Sequence, residues 1–152
     1  MTTIRFYSAN GEYGCFSNFS LHPTLIDGVL YSTTEHYFQS QKFTDESVRR
    51  RVRAARTPQD AARLGRDRAL RLRRGWESMK DEVMLRAVRA KIDQHHDVRQ
   101  ALLSTGDALI VEHTQNDDYW GDGGDGSGKN RLGKILMKVR SEILSDGRYS
   151  EA

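Results

Sequence analysis

Ser32-Thr33-Thr34-Glu35-His36-Tyr37-Phe38-Gln39-Ser40-Gln41-Lys42-Phe43 is the stretch from which the fold can be read in both directions. Ser32 and Glu35 have the spacing of a capping box, in which hydroxyl and carboxylate satisfy each other's orphan N–H groups. A helix running to about Phe43 follows. Downstream, Asp45 or Ser47 suits the cap of a second helix. Thr57-Pro58-Gln59-Asp60 opens a third, with proline at its first position and Gly65 as its stop. Trp76 to Gln94 has the longest helical pattern, with Met79, Val83, Met84, Ala87, Val88 and Ile92 as its buried stripe. Asp97 to Thr105 reads as a short helix ended by Gly106. Asn130 caps a last helix whose Leu132, Ile135, Leu136, Val139 and Ile143 face the core. Strand signals are few: Ile4 to Tyr7, a hairpin over 25–31 turning at Asp27-Gly28, and Ala108 to Val111. The predicted class is mainly α, a compact multihelical domain with a few short β-strands. The strand–helix alternation of a doubly wound sheet is missing.

The 152 residues fit one domain, 1–152, with a tail over 146–152 expected to be flexible. A hydrophobic fraction of 37% beside 30% charged residues suits a small core under a charged surface. No apolar run approaches the ~20 residues needed to cross a bilayer, so no membrane partner is expected. The opening MTTIRFYSANGEYG lacks the basic-then-apolar build of a signal peptide, and Cys15 is the only cysteine. Both point to a reducing cytoplasm. The net charge of +3 is laid out unevenly, with eleven arginines crowded between Arg49 and Arg74. Such a run can hold phosphates or nucleic acid, and equally forms the solvated face of helices.

Glu35, Gln39 and Lys42 are separated by four and three residues. On a helix these spacings put an acid, an amide and an ammonium on one face, over about 10 Å. Phe38 lies beside them, and His36 points about 100° away. A plain structural reading competes. A Glu35 that closes its own capping box has its acceptor oxygens occupied and cannot also serve as a base.

The loop Asp117-Asp118-Tyr119-Trp120-Gly121-Asp122-Gly123-Gly124-Asp125-Gly126-Ser127-Gly128-Lys129-Asn130 mimics three motifs without matching any. Gly121, Gly123 and Gly126 have dinucleotide spacing, but no strand leads directly into them and no βαβ unit surrounds them. Gly123 to Lys129 approaches a P-loop, yet Asn130 stands where a magnesium-binding hydroxyl is needed. The alternating oxygens of an EF-hand are absent. The physical reading that remains is a ligand loop in which backbone N–H groups converge on an anion. Lys129 adds charge, Trp120 a flat apolar wall and Asp117 an acid. A bare linker is the competing reading.

Phe6-Tyr7, Tyr13-Gly14, Phe16-Ser17-Asn18-Phe19, Thr34 to Gln39 and Gln41-Lys42-Phe43 resemble the opening motifs of the NADAR or YbiA-like family. Leu64-Gly65-Arg66, Trp76, Lys80, Met84, Lys91, Glu112, Asp117, Trp120-Gly121, Gly126, Gly128, Asn130, Leu132-Gly133 and Arg140 continue the resemblance in collinear order over about residues 5–145. It implies a compact multihelical fold and hydrolysis of an N-glycosidic bond. The implied substrates are phosphorylated ribosylamino-pyrimidine intermediates of riboflavin biosynthesis, with release of ribose 5-phosphate. Glu35 matches the family's catalytic glutamate, and Lys42 and Asp117 match polar site residues. Trp76 and Trp120 match aromatic pocket positions. Phe16, Asn18, Gln39, Arg66, Gly121, Gly126, Lys129 and Asn130 complete the expected substrate contacts. His113-Thr114-Gln115 departs from the family pattern beside the site, which bears on substrate choice.

In the mechanism this suggests, Glu35 stabilises positive charge at the anomeric carbon and orients or deprotonates water. Asp117 is the second acid or a sugar-hydroxyl ligand, and Lys42 keeps Glu35 ionised or contacts a hydroxyl. The tryptophans stack on the leaving heterocycle, while Arg66 or the N–H groups of Gly126–Asn130 bind phosphate. No cofactor and no metal are expected. One rival is an ADP-ribosyl hydrolase acting on modified guanine, whose partner would be ADP-ribosylated nucleic acid. A second is a non-enzymatic nucleic-acid binder using the arginines.

Overall fold

The structure, a computed structural model, describes residues 2–146. In chain order its elements are β1 (Thr3–Phe6), a 3-10 turn (Gly14–Phe16), β2 (Thr24–Ile26), β3 (Val29–Tyr31), α1 (Thr34–Ser40) and α2 (Glu46–Arg53). α3 (Pro58–Gly65), α4 (Trp76–Gln94), α5 (His96–Ser104), β4 (Leu109–Glu112) and α6 (Arg131–Asp146) follow. The mainly α class with a few short strands holds. The chain divides into two units, one spanning Asn18–Gln94 and the other formed by the chain up to Ser17 together with the chain from His95 onward.

In the Asn18–Gln94 unit, β2 and β3 form the expected hairpin, paired antiparallel with Leu25 opposite Leu30. Asp27 and Gly28 both take left-handed φ, 53° and 79°. A two-residue turn of that kind matches the strands' own twist. α1 packs against α2, α3 and α4, and every one of its seven residues is buried.

The cap of α1 is not the expected Ser32–Glu35 box. Thr33 caps, its hydroxyl oxygen accepting from the His36 N–H, while Ser32 is exposed. Burial decides between the two hydroxyls. Ser32 has water for a partner, whereas Thr33 is fully enclosed and must find one in the protein. It finds two in His36, whose Nδ1 lies 2.8 Å from Thr33 Oγ1. His36 Nε2 lies 3.0 Å from the Ala55 carbonyl oxygen. That carbonyl can only accept, so Nε2 carries a proton, and in the neutral ring Nδ1 is left to accept from the Thr33 hydroxyl.

α1 also stops at Ser40, short of the expected Phe43. The Lys42 and Phe43 N–H groups turn back onto the Gln39 and Ser40 carbonyls at 3.2 and 3.3 Å. The turn drops Phe43 into a cluster with Val52 and Ala61, bordered by Val48, Ala55, Leu64 and Leu70. Burying such a ring contributes about 1.5–3 kcal/mol. Asp45, rather than Ser47, caps α2, and Thr57 caps α3 with Pro58 in its first turn. α4 has the expected bounds. Met79 is only half-buried, and Leu85 and Lys91 join the buried set.

In the other unit, β1 and β4 pair in parallel, Thr3 with Leu109 through Phe6 with Glu112. Each strand lies one residue from its expected position, so Tyr7 is outside β1 and half-exposed. α5 begins one residue early, at His96, and ends before Gly106, whose φ is 61°. α6 buries Leu132, Ile135, Leu136, Val139 and Ile143 as expected. It lies close to β4 because Gly133 has no side chain. A Cβ there would sit 2.1 Å from the Ile110 carbonyl oxygen. The tail expectation concerns residues that, apart from Asp146 at the end of α6, lie outside the described residues. Among the described residues no helix is long and apolar enough to cross a membrane.

Removing the Thr33 hydroxyl should cost about 1–2 kcal/mol, because a cap is lost and His36 loses a partner. Ser32→Ala should stay within about 0.5 kcal/mol of the parent. Denaturant midpoints of the two variants check this, and the reverse order would restore the Ser32 cap.

Candidate active site

Glu35 occupies the second position of α1, with the cap already supplied by Thr33. Its carboxylate is therefore not needed to close the helix. Its backbone N–H donates to the Asn18 carbonyl oxygen at 3.1 Å. Asn18 is in turn held by the Thr34 hydroxyl, which donates to Asn18 Oδ1 at 2.9 Å, and by Met84 Sδ, 3.2 Å from Asn18 Nδ2. Both polar ends of the Asn18 side chain are thus engaged, Oδ1 at the start of α1 and Nδ2 on α4, which fits a supporting part better than the expected substrate contact.

One turn further on, Gln39 Nε2 donates to Glu35 Oε2 at 2.7 Å. Glu35 is only 8% exposed, so this contact lies in a medium where an amide–carboxylate bond is strong. Lys42 has left the helix but stays with the group. Its Nζ donates to the Gly65 carbonyl oxygen at 3.3 Å and lies 5.8 Å from the centre of the Phe38 ring. The expected stripe on one helix face is thus replaced by a helix plus the turn after it. That turn is tied down by Arg73, whose N–H reaches the Lys42 carbonyl oxygen at 2.6 Å and whose guanidinium reaches that of Phe43 at 3.4 Å.

Burial pushes the Lys42 ammonium below the ordinary lysine range; the Glu35 charge opposes this, while Arg66 and Lys80 reinforce it. Phe38 packs edge-on against Trp76 with ring centres 5.2 Å apart, and Trp76 is itself buried. Beside these groups lies a cavity of about 530 Å³ lined by Lys42, Gly65, Arg66, Arg68, Trp76 and Glu77, among others. Its volume suits a nucleotide-sized ligand. Glu35 is not part of the lining, and Lys42 is the group the carboxylate and the cavity share.

The arginine cluster is divided in its duties. Arg66 and Arg68 line the cavity, Arg73 braces the turn, and Arg53 and Arg63 pair with Glu46 and Asp60 at 2.9 and 2.6 Å.

In the other unit the glycine-rich loop is bound to itself. Asp117 Oδ1 accepts from the Tyr119 and Trp120 N–H groups at 2.9 and 2.8 Å, a turn that fixes the tryptophan's backbone. The N–H groups of Gly126 and Gly128 donate to the Asp122 carbonyl oxygen, that of Lys129 to Asp118 and that of Asn130 to Gly121. The anion nest expected from these groups does not form, because the loop's own carbonyls already take them. Lys129 lies over the Tyr119 ring, 5.5 Å from its centre. Gly121 has no room for a side chain, the Glu112 carbonyl oxygen standing 2.8 Å from its would-be Cβ, whereas Gly126 faces open space at φ 90°.

Asn130 differs most from its expected role. Its Oδ1 accepts from the Glu112 N–H at 3.0 Å and its Nδ2 donates to the Ile110 carbonyl oxygen at 2.9 Å. The side-chain amide pairs with β4 as a neighbouring strand would, while the Asn130 carbonyl oxygen accepts from the Lys134 N–H at 3.0 Å, so the residue stands at the expected start of α6 with its amide turned to the strand. Phe16 is likewise a core ring, stacked on Tyr13 at 5.6 Å and edge-on to Phe6 at 5.7 Å. Asp122 was not singled out in the sequence. Its Oδ1 accepts from the Thr114 and Gly124 N–H groups at 3.0 and 2.8 Å, and its Oδ2 lies 2.7 Å from His113 Nδ1. Burial would push its carboxyl up, but these partners outweigh that and hold it below the usual carboxylate range. An aspartate two residues before a glycine is the signal that could have found it.

The family profile described as the NADAR domain matches residues 5–144. The N-glycosidase YbiA of Escherichia coli is 54% identical over 142 residues, covering 93% of this chain and 89% of that protein. The riboflavin biosynthesis protein VVA0006 of Vibrio vulnificus is 38% identical over 147 residues, covering 97% of this chain and 40% of that longer protein. The NMR structure of the E. coli protein YbiA superposes with a TM-score of 0.90 at 50% identity, covering 99% of this chain and 90% of that one.

The Lys42 ammonium should titrate below 10.5, the ordinary lysine value, and Glu35→Gln should lower it further by removing the charge that opposes burial. NMR titration of the lysine side-chain resonances reads both. An unchanged Lys42 titration on removing Glu35 would mean the two groups do not interact.

Proposed function

The chain belongs to the NADAR family, and from that membership we propose that it is an N-glycosidase acting in riboflavin-intermediate metabolism. We assign it the ribosyl C–N bond of phosphorylated ribosylamino-pyrimidines. The observation that carries this reading is the state of Glu35: buried, not used as a helix cap, and oriented through Oε2 by Gln39.

Hydrolysis of such a bond passes through a ribosyl carbon that has lost most of its bond to nitrogen before it gains one to water. Positive charge spreads over the anomeric carbon and ring oxygen. A fixed carboxylate beside that carbon stabilises the charge without reorganising, which is how preorganised sites lower barriers. The same carboxylate can take a proton from the attacking water. Water supplies the hydroxyl of the released sugar, and its proton ends on the leaving amine. Lys42 contributes a positive charge that favours the ionised Glu35. It also lines the cavity, where Arg66 and Arg68 can pair with a phosphate and Trp76 offers an apolar wall.

Asp117 as second acid and Trp120 as a stacking surface are carried by the family resemblance, whereas Lys129 as a phosphate contact rests on its charge at the end of the loop. The loop's own hydrogen bonds favour a framework part for Gly121, Gly126 and Asn130. The cytoplasm is the compartment we assign, in keeping with a chain whose single cysteine is Cys15.

Glu35→Gln keeps the shape and deletes the charge. It should lower kcat by about 10²–10⁴-fold, the usual worth of a general acid–base group, with the fold retained. Release of ribose 5-phosphate from ribosylamino-pyrimidines, followed by mass spectrometry, measures it, and wild-type turnover by the variant removes Glu35 from the mechanism. Offered side by side with ADP-ribosylated guanine, the pyrimidine should be the substrate consumed. Cleavage of the guanine adduct alone would transfer the same chemistry to an ADP-ribosyl hydrolase. Trp120→Ala should raise KM while leaving the fold intact, and an unchanged KM would end the stacking role.

A further inference from the structure

Gly65 ends α3 and is not among the glycines with positive φ, so its backbone would accept any residue. Helix propensity alone would favour alanine there. Packing forbids it. A Cβ at position 65 would lie 1.8 Å from Gln39 Oε1 and 2.6 Å from Gln39 Cδ. The Gln39 side chain occupies the very space that a side chain at 65 would need.

The consequence for Gln39 is unusual. It is 6% exposed, its Nε2 donates to Glu35 at 2.7 Å, and its Oε1 is buried with no hydrogen-bond partner among the described residues. Turning the amide over would set its oxygen against the Glu35 carboxylate, so the orientation is dictated by Glu35. An orphaned buried acceptor is unfavourable and is seldom kept without compensation. Here the compensation is the amide held on Glu35. Gly65 serves the site a second time, since its carbonyl oxygen receives Lys42 Nζ at 3.3 Å.

We propose that Gly65 is a positioning residue: by having no side chain it lets the Gln39 amide lie against α3 and hold the Glu35 carboxylate in its working orientation. The catalytic consequence rests on the assignment of Glu35 given above, whereas the amide contact does not. The two severe clashes are with the far end of a flexible side chain, and the third contact, 3.1 Å from Gln39 Cβ, needs a shift of only a few tenths of an ångström, so Gly65→Ala should displace the Gln39 amide and leave the fold standing. A carboxylate that loses its orientation by about 1 Å loses roughly 10²-fold in kcat, with KM much less affected.

The test is a double-mutant cycle over Gly65→Ala, Gln39→Ala and the pair, with kcat and KM measured, and with the Gln39 side-chain amide signals followed by NMR. If Gly65 acts through Gln39, the pair should turn over at the rate of Gln39→Ala alone, and Gly65→Ala should shift the amide signals. Losses that multiply independently, or amide signals unchanged by Gly65→Ala, overturn the proposal. Should Gly65→Ala fail to fold, the pair must fold, because the 1.8 and 2.6 Å clashes are gone and only a tight 3.1 Å contact with the Cβ of residue 39 remains; an unfolded pair also overturns it. Shifted amide signals with wild-type kcat uphold the positioning of the amide and remove Glu35 from catalysis instead.

Discussion

A helix of composition Thr-Glu-His-Tyr-Phe-Gln-Ser is buried at all seven positions, and its polar groups have to be provided for, with the Gln39 Oε1 atom as an exception. This is the constraint around which the Asn18–Gln94 unit is organised. Buried donors and acceptors left without partners are costly, so the neighbours of α1 are chosen for hydrogen bonding as much as for bulk. Asn18 takes the Thr34 hydroxyl and the Glu35 N–H, the Ala55 carbonyl takes His36, and Ser40 turns its hydroxyl back onto the Tyr37 carbonyl. Glu35 is balanced by Gln39 and by the charge of Lys42. A carboxylate that would be an unexceptional surface group elsewhere becomes a desolvated, oriented one here, and that change of setting is what gives it chemistry.

The other unit solves a related problem with side chains standing in for backbone. β4 has β1 on one edge, and the Asn130 amide on the other takes the Ile110 carbonyl and the Glu112 N–H. Asp122 performs the same service for Thr114 and Gly124, and Asp117 for Tyr119 and Trp120. The glycines allow the loop to fold back closely enough for its carbonyls to reach its own N–H groups. Its polar richness is therefore mostly internal wiring, with the aromatic side chains and Lys129 as its outward chemistry.

Much of this was legible in one dimension. The 3.6-residue stripes of α4 and α6, the proline and threonine opening α3, and the Asp27-Gly28 turn each act within a few residues, and each appears where local chemistry puts it. Glu35, Gln39 and Lys42 were also legible as a group, since four- and three-residue spacing brings side chains together whether the last lies on the helix or on the turn after it. What failed were choices between equivalent local options. Ser32 and Thr33 can both cap; Phe43 could continue a helix or leave it; Asn130 could cap, bind or bridge.

The amino-acid sequence by itself determined the element types, the family and the chemical identity of the proposed acid, because propensity, periodicity and collinear motifs are properties of neighbours along the chain. Only the tertiary structure decided that Thr33 relieves Glu35 of capping, that Gln39 holds it and that Gly65 makes room for Gln39. Those outcomes depend on which hydroxyl is shut off from water and which side chain fills the space beside a distant backbone, as Gln39 fills the space a Cβ would need at position 65, 26 residues on. Solvent exclusion and close contact are set by packing, and no local rule contains them.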